Sequence, residues 1–263
     1  MKNKTLHPIT TALLSGLFFC FAPVASVTVK AGQVWEEMGA YTTYYNVEDK
    51  GRCENIEIAS ALIDGITLQA FGEFSFNQTV GRRTSEFGFK QAKIIVNGEY
   101  VLGVGGGVCQ VSTTLYNTAL LSGLAVTEHH PHSLKVGYVA PSRDAMVSTA
   151  SDLKLYNPHA FAVRLDVEAK NGCVKMRFFG KRLNARYQIV SRVLEEIPAP
   201  APIVKEGKED GVLREEKLGL KSEAYLERYE KDKLVERKRL RTDVYRPTQG
   251  IIVKKMENPL NFP

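Results

Sequence analysis

The chain has 263 residues, a formal net charge of +6 and 44% hydrophobic residues. That length holds one substantial domain and a smaller second one, and that composition supplies a core, which excludes a disordered or purely fibrous chain. The surplus positive charge comes without zinc-finger spacing or an aromatic–basic recognition element, so nucleic acid is not the expected partner; the charge is compatible with an anionic envelope surface, or carries no meaning for partners.

Lys2 and Lys4 precede an almost uncharged apolar run from Ile9 to Ala22, and small residues follow at Ala22-Pro23-Val24-Ala25-Ser26. This is the layout of a secretory signal peptide over residues 1–25, or of an N-terminal anchor if it stays uncleaved. The expected location is therefore extracellular or in the cell envelope. Cys20 lies inside the apolar run. Beyond the leader stand Cys53, Cys109 and Cys173, an odd number that leaves at least one thiol free or paired between chains. Either Cys53 and Cys173 form a disulfide, or all three remain thiols.

Three segments follow: a body over residues 30–196, a Pro/Ala-rich linker over 197–202, and a charged, β-rich tail over 203–263. In the body, Tyr41-Thr42-Thr43-Tyr44-Tyr45 has strand composition. Ile56, Ala59, Leu62 and Ile63 recur at helical spacing between Asn55 and Gly65. Phe71, Phe74 and Phe76 mark an extended segment that leads to Asn77-Gln78-Thr79-Val80-Gly81. Residues 93–102 read as a hairpin around Asn97-Gly98. Gly103 and Gly105-Gly106-Gly107 then bring the backbone to a helix expected to begin at Cys109, packed through Val111, Leu115, Thr118 and Ala119 and ended by Gly123. Strands are expected at 134–139, 145–149, 153–156, 161–169 and 174–179, with a hairpin turn at Asn171-Gly172. In the tail, alternation over 224–229 and 234–240 around Glu230-Lys231-Asp232-Lys233 predicts a long, solvent-facing hairpin. The fold class that follows is α+β, a predominantly antiparallel β-sheet packed around a central helix beginning at Cys109.

The chemistry concentrates in Gly105-Gly106-Gly107-Val108-Cys109-Gln110-Val111-Ser112-Thr113-Thr114-Leu115-Tyr116, in His129-His130-Pro131-His132 and in Arg143-Asp144. A helix start presents unpaired N–H groups and the positive end of a dipole, which lower a thiol pKa. Cys109 is therefore the candidate nucleophile. His132 is the preferred base, held by the strand expected at 134; His130 is the second choice and His129 the third. Asp144 orients the imidazole, and Gln110 or the backbone N–H groups around it are candidates for stabilising an oxyanion. Asn77, Arg82, Ser112, Tyr116 and Arg143 are candidate substrate contacts, with an arginine holding a carboxylate; Arg83 reads as solvent-facing charge. The alternative is a buried structural Cys109 in a non-catalytic binding or scaffolding protein, where the glycines serve only close packing. No metal is expected, because His-Pro-His on a loop lacks a paired Cys-x-x-Cys or a helical His-Glu-x-x-His. No cofactor is expected, since no Gly-Lys-Ser/Thr follows the glycines.

The run from Gly105 to Tyr116 resembles the VanW-like family, named for an accessory gene of some vancomycin-resistance clusters. The resemblance spans residues 39–180 and includes Tyr41-Thr42-Thr43-Tyr44-Tyr45-Asn46, Phe74-Ser75-Phe76-Asn77-Gln78-Thr79-Val80-Gly81-Arg82-Arg83-Thr84, His129-His130-Pro131-His132-Ser133 and Arg143-Asp144-Ala145. Residues 204–254 are similar to a small G5-type module. The family resemblance implies an exported or membrane-anchored protein of mostly Gram-positive bacteria and carries no assigned reaction. The G5 resemblance implies an envelope setting and amino-sugar glycans. Together they make peptidoglycan, or another cell-wall glycan or peptide, the expected partner.

Overall fold

The structure, a computed structural model, describes residues 35–96 and 98–255. The expected leader at 1–25, with Cys20, lies outside the described residues, as does Asn97 of the expected turn.

The body opens with β1 (Glu36–Tyr44), α1 (Lys50–Ile63), β2 (Thr67–Leu68), β3 (Glu73–Ser75) and α2 (Phe76–Val80). A hairpin of β4 (Gln91–Val96) and β5 (Glu99–Val104) leads into α3 (Val108–Leu121). After β6 (Ala125–Glu128) an irregular segment runs to β7 (Lys154–Tyr156). Then come β8 (Val163–Lys170), β9 (Cys173–Gly180) and β10 (Arg186–Ile197). The tail adds β11 (Ile203–Gly207), β12 (Gly211–Arg214), β13 (Gly219–Glu230), β14 (Lys233–Tyr245) and β15 (Ile251–Lys255).

The main sheet is antiparallel, in the order β1-β9-β8-β2. Period-two alternation on β9 turns Val174, Met176 and Phe178 inward, all three fully buried. They meet α3, which also packs on β1, β6, β10 and α1. Val108 and every residue from Gln110 to Leu120 are buried, so α3 is enclosed on all sides. Its interior polar groups are satisfied locally: Thr114, Thr118 and Ser122 hydroxyls donate to carbonyls four residues back, and Thr43 on β1 bonds Thr114 at 2.8 Å. On α1, Ile56, Ala59 and Ile63 are fully buried, whereas Leu62 faces solvent.

The fold is α+β and mostly antiparallel, with one parallel pair, β11–β15. The central helix, however, does not begin at a cysteine. It starts at Val108, and Cys109 is its second residue. The Val108 N–H donates to Gly105 O at 3.2 Å, closing the glycine turn one residue early. Gly107 is the N-cap at φ 110°, a conformation that a side chain would strain. Residues 76–80 form the short α2, capped by the Ser75 hydroxyl, where the end of an extended segment and a polar loop were expected.

The strands expected at 134–139 and 145–149 are absent. Their backbone groups go elsewhere: Ala145 N–H donates to Thr113 Oγ1 at 2.9 Å, Ala145 O accepts from Ser112 Oγ at 2.6 Å, and Met146 N–H donates to His130 O at 2.8 Å. Side chains of α3 thus replace a neighbouring strand. The strand β10 was not foreseen. It pairs with β13 and β13 with β14, giving a sheet of order β10-β13-β14. That hairpin is solvent-facing over much of β14 but buries Leu220, Ser222, Ala224 and Tyr245. Among the described residues, no helix is long and apolar enough to cross a membrane.

Asn55 ties α1 to the glycine turn. Its amide donates to Lys90 O and Gly106 O, both at 2.9 Å, and its carbonyl accepts from Lys90 N–H at 2.7 Å. Replacing Asn55 by Ala strands these buried backbone groups and is expected to cost about 2–4 kcal/mol. Urea unfolding of Asn55→Ala against the unaltered chain measures this.

Candidate functional site

Three residues far apart in the chain meet at the start of α3. Cys109 is half-buried as a residue, and its thiol lies deep among protein atoms, with Sγ 3.4 Å from Val147 O. It is in side-chain hydrogen-bonding reach of His132. His132 Nδ1 pairs with Asp144 Oδ2 at 2.7 Å, and the His132 backbone N–H donates to the same oxygen at 2.7 Å. Because Nδ1 is committed to Asp144, Nε2 is the nitrogen left to face sulfur.

His132 is therefore held by a carboxylate and not by a strand. Asp144 is itself fully buried, and its other oxygen accepts Arg241 Nη2 at 2.7 Å and the Tyr245 hydroxyl at 2.5 Å. The carboxylate thus receives four hydrogen bonds, about its full capacity. Arg241 Nη1 adds a bond to Asp144 O at 2.7 Å, and Arg241 Nε pairs with Asp243 at 2.6 Å. Every strand of the C-terminal sheet reaches this loop: Ser191 of β10 donates to Pro141 O at 2.5 Å, Ser222 of β13 bonds Ser142 at 2.8 Å, and Tyr245 of β14 accepts from Ser142 N–H at 2.7 Å.

The electrostatics follow from these contacts. Burial alone pushes the Cys109 thiol up, but the hydrogen bond and charge of His132, with Arg83 nearby, bring it below its ordinary value. Burial alone lowers His132, but Asp144 and Cys109 outweigh it and raise the imidazole to about 9. Burial raises Asp144, yet His132, Arg241 and Tyr245 hold it at about 2. Near neutral pH the imidazole is protonated and the carboxylate ionised, and both contacts favour the thiolate form of Cys109 over its ordinary balance.

The remaining candidates are placed as follows. Gln110 is buried and fully engaged: Oε1 accepts from Arg52 at 2.7 Å, and Nε2 donates to Thr43 and Tyr44 O at 3.1 and 2.9 Å. Its amide is thus unavailable to an oxyanion. Ser112 is consumed by Ala145 O and Cys109 O. Tyr116 is core, stacked on His129 with ring centroids 5.2 Å apart. Burial holds His129 neutral down to about 4. His130 pairs with Glu128 at 3.0 Å, outside the triad. Arg143 donates to Asn117 at 2.9 Å and lies over the Tyr41 ring. Arg82 is exposed, whereas its neighbour Arg83 is half-buried and faces the thiol, the reverse of the reading from sequence. Asn77 binds Arg83 Nη1 at 2.8 Å.

The sequence reading turned Arg83 to solvent and missed Arg241, Tyr245 and Tyr138 as site residues; the half-buried Tyr138 has its ring under the Arg52 guanidinium and Thr113 acts on its hydroxyl. Arg241 and Tyr245 carry no local signal, because they lie on a strand that reads as exposed alternation. Cys53 and Cys173 are free thiols, bonded to carbonyls of Asn46 and Lys170 at 3.5 and 3.3 Å. Among the described residues, no group of three or more His, Cys, Asp and Glu is placed to hold a metal.

Residues 51–179, which carry the whole triad, match the family described as VanW like protein. Over this region the chain is similar to the VanW-like family. A curated relative, the uncharacterized protein YoaR of Bacillus subtilis (strain 168), is 36% identical over 173 residues, covering 65% of this chain. The match spans 55% of that protein's own length. Among solved structures, the crystal structure of HP0197-G5 aligns with 27% of this chain and 93% of its own, at 19% identity and a TM-score of 0.16. A superposition that loose does not establish a shared fold. The Arg241 and Tyr245 partners of Asp144 fall beyond the VanW-like stretch.

Two outcomes are expected from the charges. The His132 ring is expected to titrate near 9 by NMR, and Asp144→Asn is expected to lower it, because only Cys109 then opposes burial. Asp144, depressed from 3.8 to about 2, contributes stability that is present above pH 4 and is lost as pH falls toward 2. Acid unfolding of the unaltered chain is therefore expected to carry a component of about 2 kcal/mol that Asp144→Asn lacks.

Proposed function

We propose that this protein is a cell-envelope, cysteine-dependent amide hydrolase or acyltransferase acting on peptidoglycan peptides. The observation that carries the reading is the Cys109–His132–Asp144 relay, in which a saturated, buried carboxylate fixes the tautomer of a histidine beside a helix-start thiol. The similarity of residues 51–179 to the VanW-like family and the apolar leader support the envelope setting. The body over 30–196 carries nucleophile, base and orienter, and the 203–263 tail supplies the wall behind Asp144.

The Cys109 thiolate attacks the amide carbonyl carbon. The charge on the carbonyl oxygen is met by backbone N–H at the α3 start, where the Val108 and Gln110 N–H groups are taken by Gly105 O and Gly107 O and Cys109 N–H is the nearest donor. The His132 imidazolium gives its Nε2 proton to the departing amine. A thioester remains. Water, deprotonated by the now neutral His132, or an acceptor amine then releases the acyl group. Asp144 keeps Nδ1 protonated throughout and stays ionised.

The reading is tested by the rate of Cys109 alkylation with iodoacetamide against pH. A thiolate titrating well below 8.5, moved upward by His132→Ala and abolished by Cys109→Ala, is the expected result. Cys109→Ala then also removes amide cleavage or exchange on peptidoglycan fragments. A thiol that resists alkylation until the chain unfolds makes Cys109 structural and the protein a binding or scaffolding one.

A further inference from the structure

Arg83 occupies a position that the relay does not explain. It packs against the glycine turn, where a Cβ added to Gly105 would lie 3.4 Å from its own Cβ. Its Nη1 donates to Asn77 Oδ1 at 2.8 Å. Asn77 in turn donates to Ser148 O and Ser151 O at 2.9 and 3.0 Å, and the preceding residue, Val147, is the one whose carbonyl touches the Cys109 sulfur. A chain of contacts thus ties the guanidinium to the loop that touches the nucleophile, and its charge acts on the Cys109 thiol.

This guanidinium is half-buried, and among the described residues no carboxylate lies within ion-pair distance of it. The contrast with its neighbours is informative. Arg241 is paired with Asp144 and Asp243, and Arg52 is committed to Gln110. A half-buried cation with one neutral acceptor has donors to spare for an anion. The thiolate does not fill that role, because His132 already serves it and its charge disappears once sulfur is acylated.

We propose that Arg83 is a carboxylate-binding residue, so that the substrate is an amide carrying a free carboxylate within one residue of the bond attacked, as at a peptide C-terminus. This rests on the nucleophile reading above. The carbonyl carbon gains the bond to Cys109 sulfur and loses its bond to nitrogen. The amine leaves with the His132 proton and, in a peptide, with its carboxylate on Arg83. Water later breaks the sulfur–carbon bond, giving the free acid and returning a proton to His132.

The test compares an anionic and a neutral reagent on the full chain at pH 7. Iodoacetate and iodoacetamide rates at Cys109 are measured for the unaltered protein, Arg83→Gln and Arg83→Lys. Iodoacetamide corrects for any change in thiolate fraction. The expected iodoacetate-to-iodoacetamide ratio exceeds that of free cysteine, falls about tenfold in Arg83→Gln and is partly kept in Arg83→Lys. N-acetylalanine is expected to protect Cys109 of the unaltered protein where N-acetylalanine amide does not, a result that needs no variant to fold. Ready reaction with iodoacetamide, with no carboxylate protection and the same ratio in Arg83→Gln, overturns the carboxylate site and leaves the nucleophile standing. No reaction with iodoacetamide in the folded chain overturns both.

Discussion

A single buried carboxylate organises this protein. Moving an ion such as Asp144 out of water is costly, and the cost is tolerable only when its lone pairs are met by well-aimed donors. Here the donors come from two sources. One is the adjacent loop, through the backbone and ring of His132; the other is the distant strand β14, through Arg241 and Tyr245. The requirement fixes the shape of the irregular segment between β6 and β7. It explains why that segment gives up strand pairing and takes its hydrogen bonds from the Ser112 and Thr113 hydroxyls on one side and the C-terminal sheet on the other.

The thiol sits where these constraints converge. The helix that presents it is enclosed, so its first turn cannot shift without disturbing the sheet beneath. Gln110, one residue on, is clamped by Arg52, Thr43 and Tyr44. Gln110 and Ser112, which look chemical in sequence, are thus consumed in holding the helix start still, whereas Cys109 sulfur, His132 Nε2 and the outer donors of Arg83 keep free valence.

Much of this was legible in the residues. The glycine run before Cys109 marks a tight approach to a helix, and His132 and Asp144 stand in the order of a base and its orienter. The α+β class follows from short antiparallel strands interrupted by two periodic helices. What was not legible has physical causes. The helix start slipped to Val108 because Gly105 O captures its N–H, which no propensity reports. Residues 134–139 and 145–149 each carry β-prone residues, but tertiary hydrogen bonds overrode that preference. Arg82 and Arg83 are indistinguishable in sequence, since which of the two turns inward is set by the short α2 and by Asn77. Arg241 and Tyr245 lie about a hundred residues from the carboxylate they hold, and nothing local announces that pairing.

The order of synthesis acquires a meaning from the last of these contacts. The chain emerges with Cys109 and His132 long before Tyr245. Until β14 folds back onto the loop, Asp144 lacks half of its donors and the histidine has no fixed partner. A nascent or truncated chain therefore leaves that buried charge half-met, which raises the cost of burying it. The last long strand described thus completes the carboxylate's surroundings, so its docking and the closing of the loop are one event.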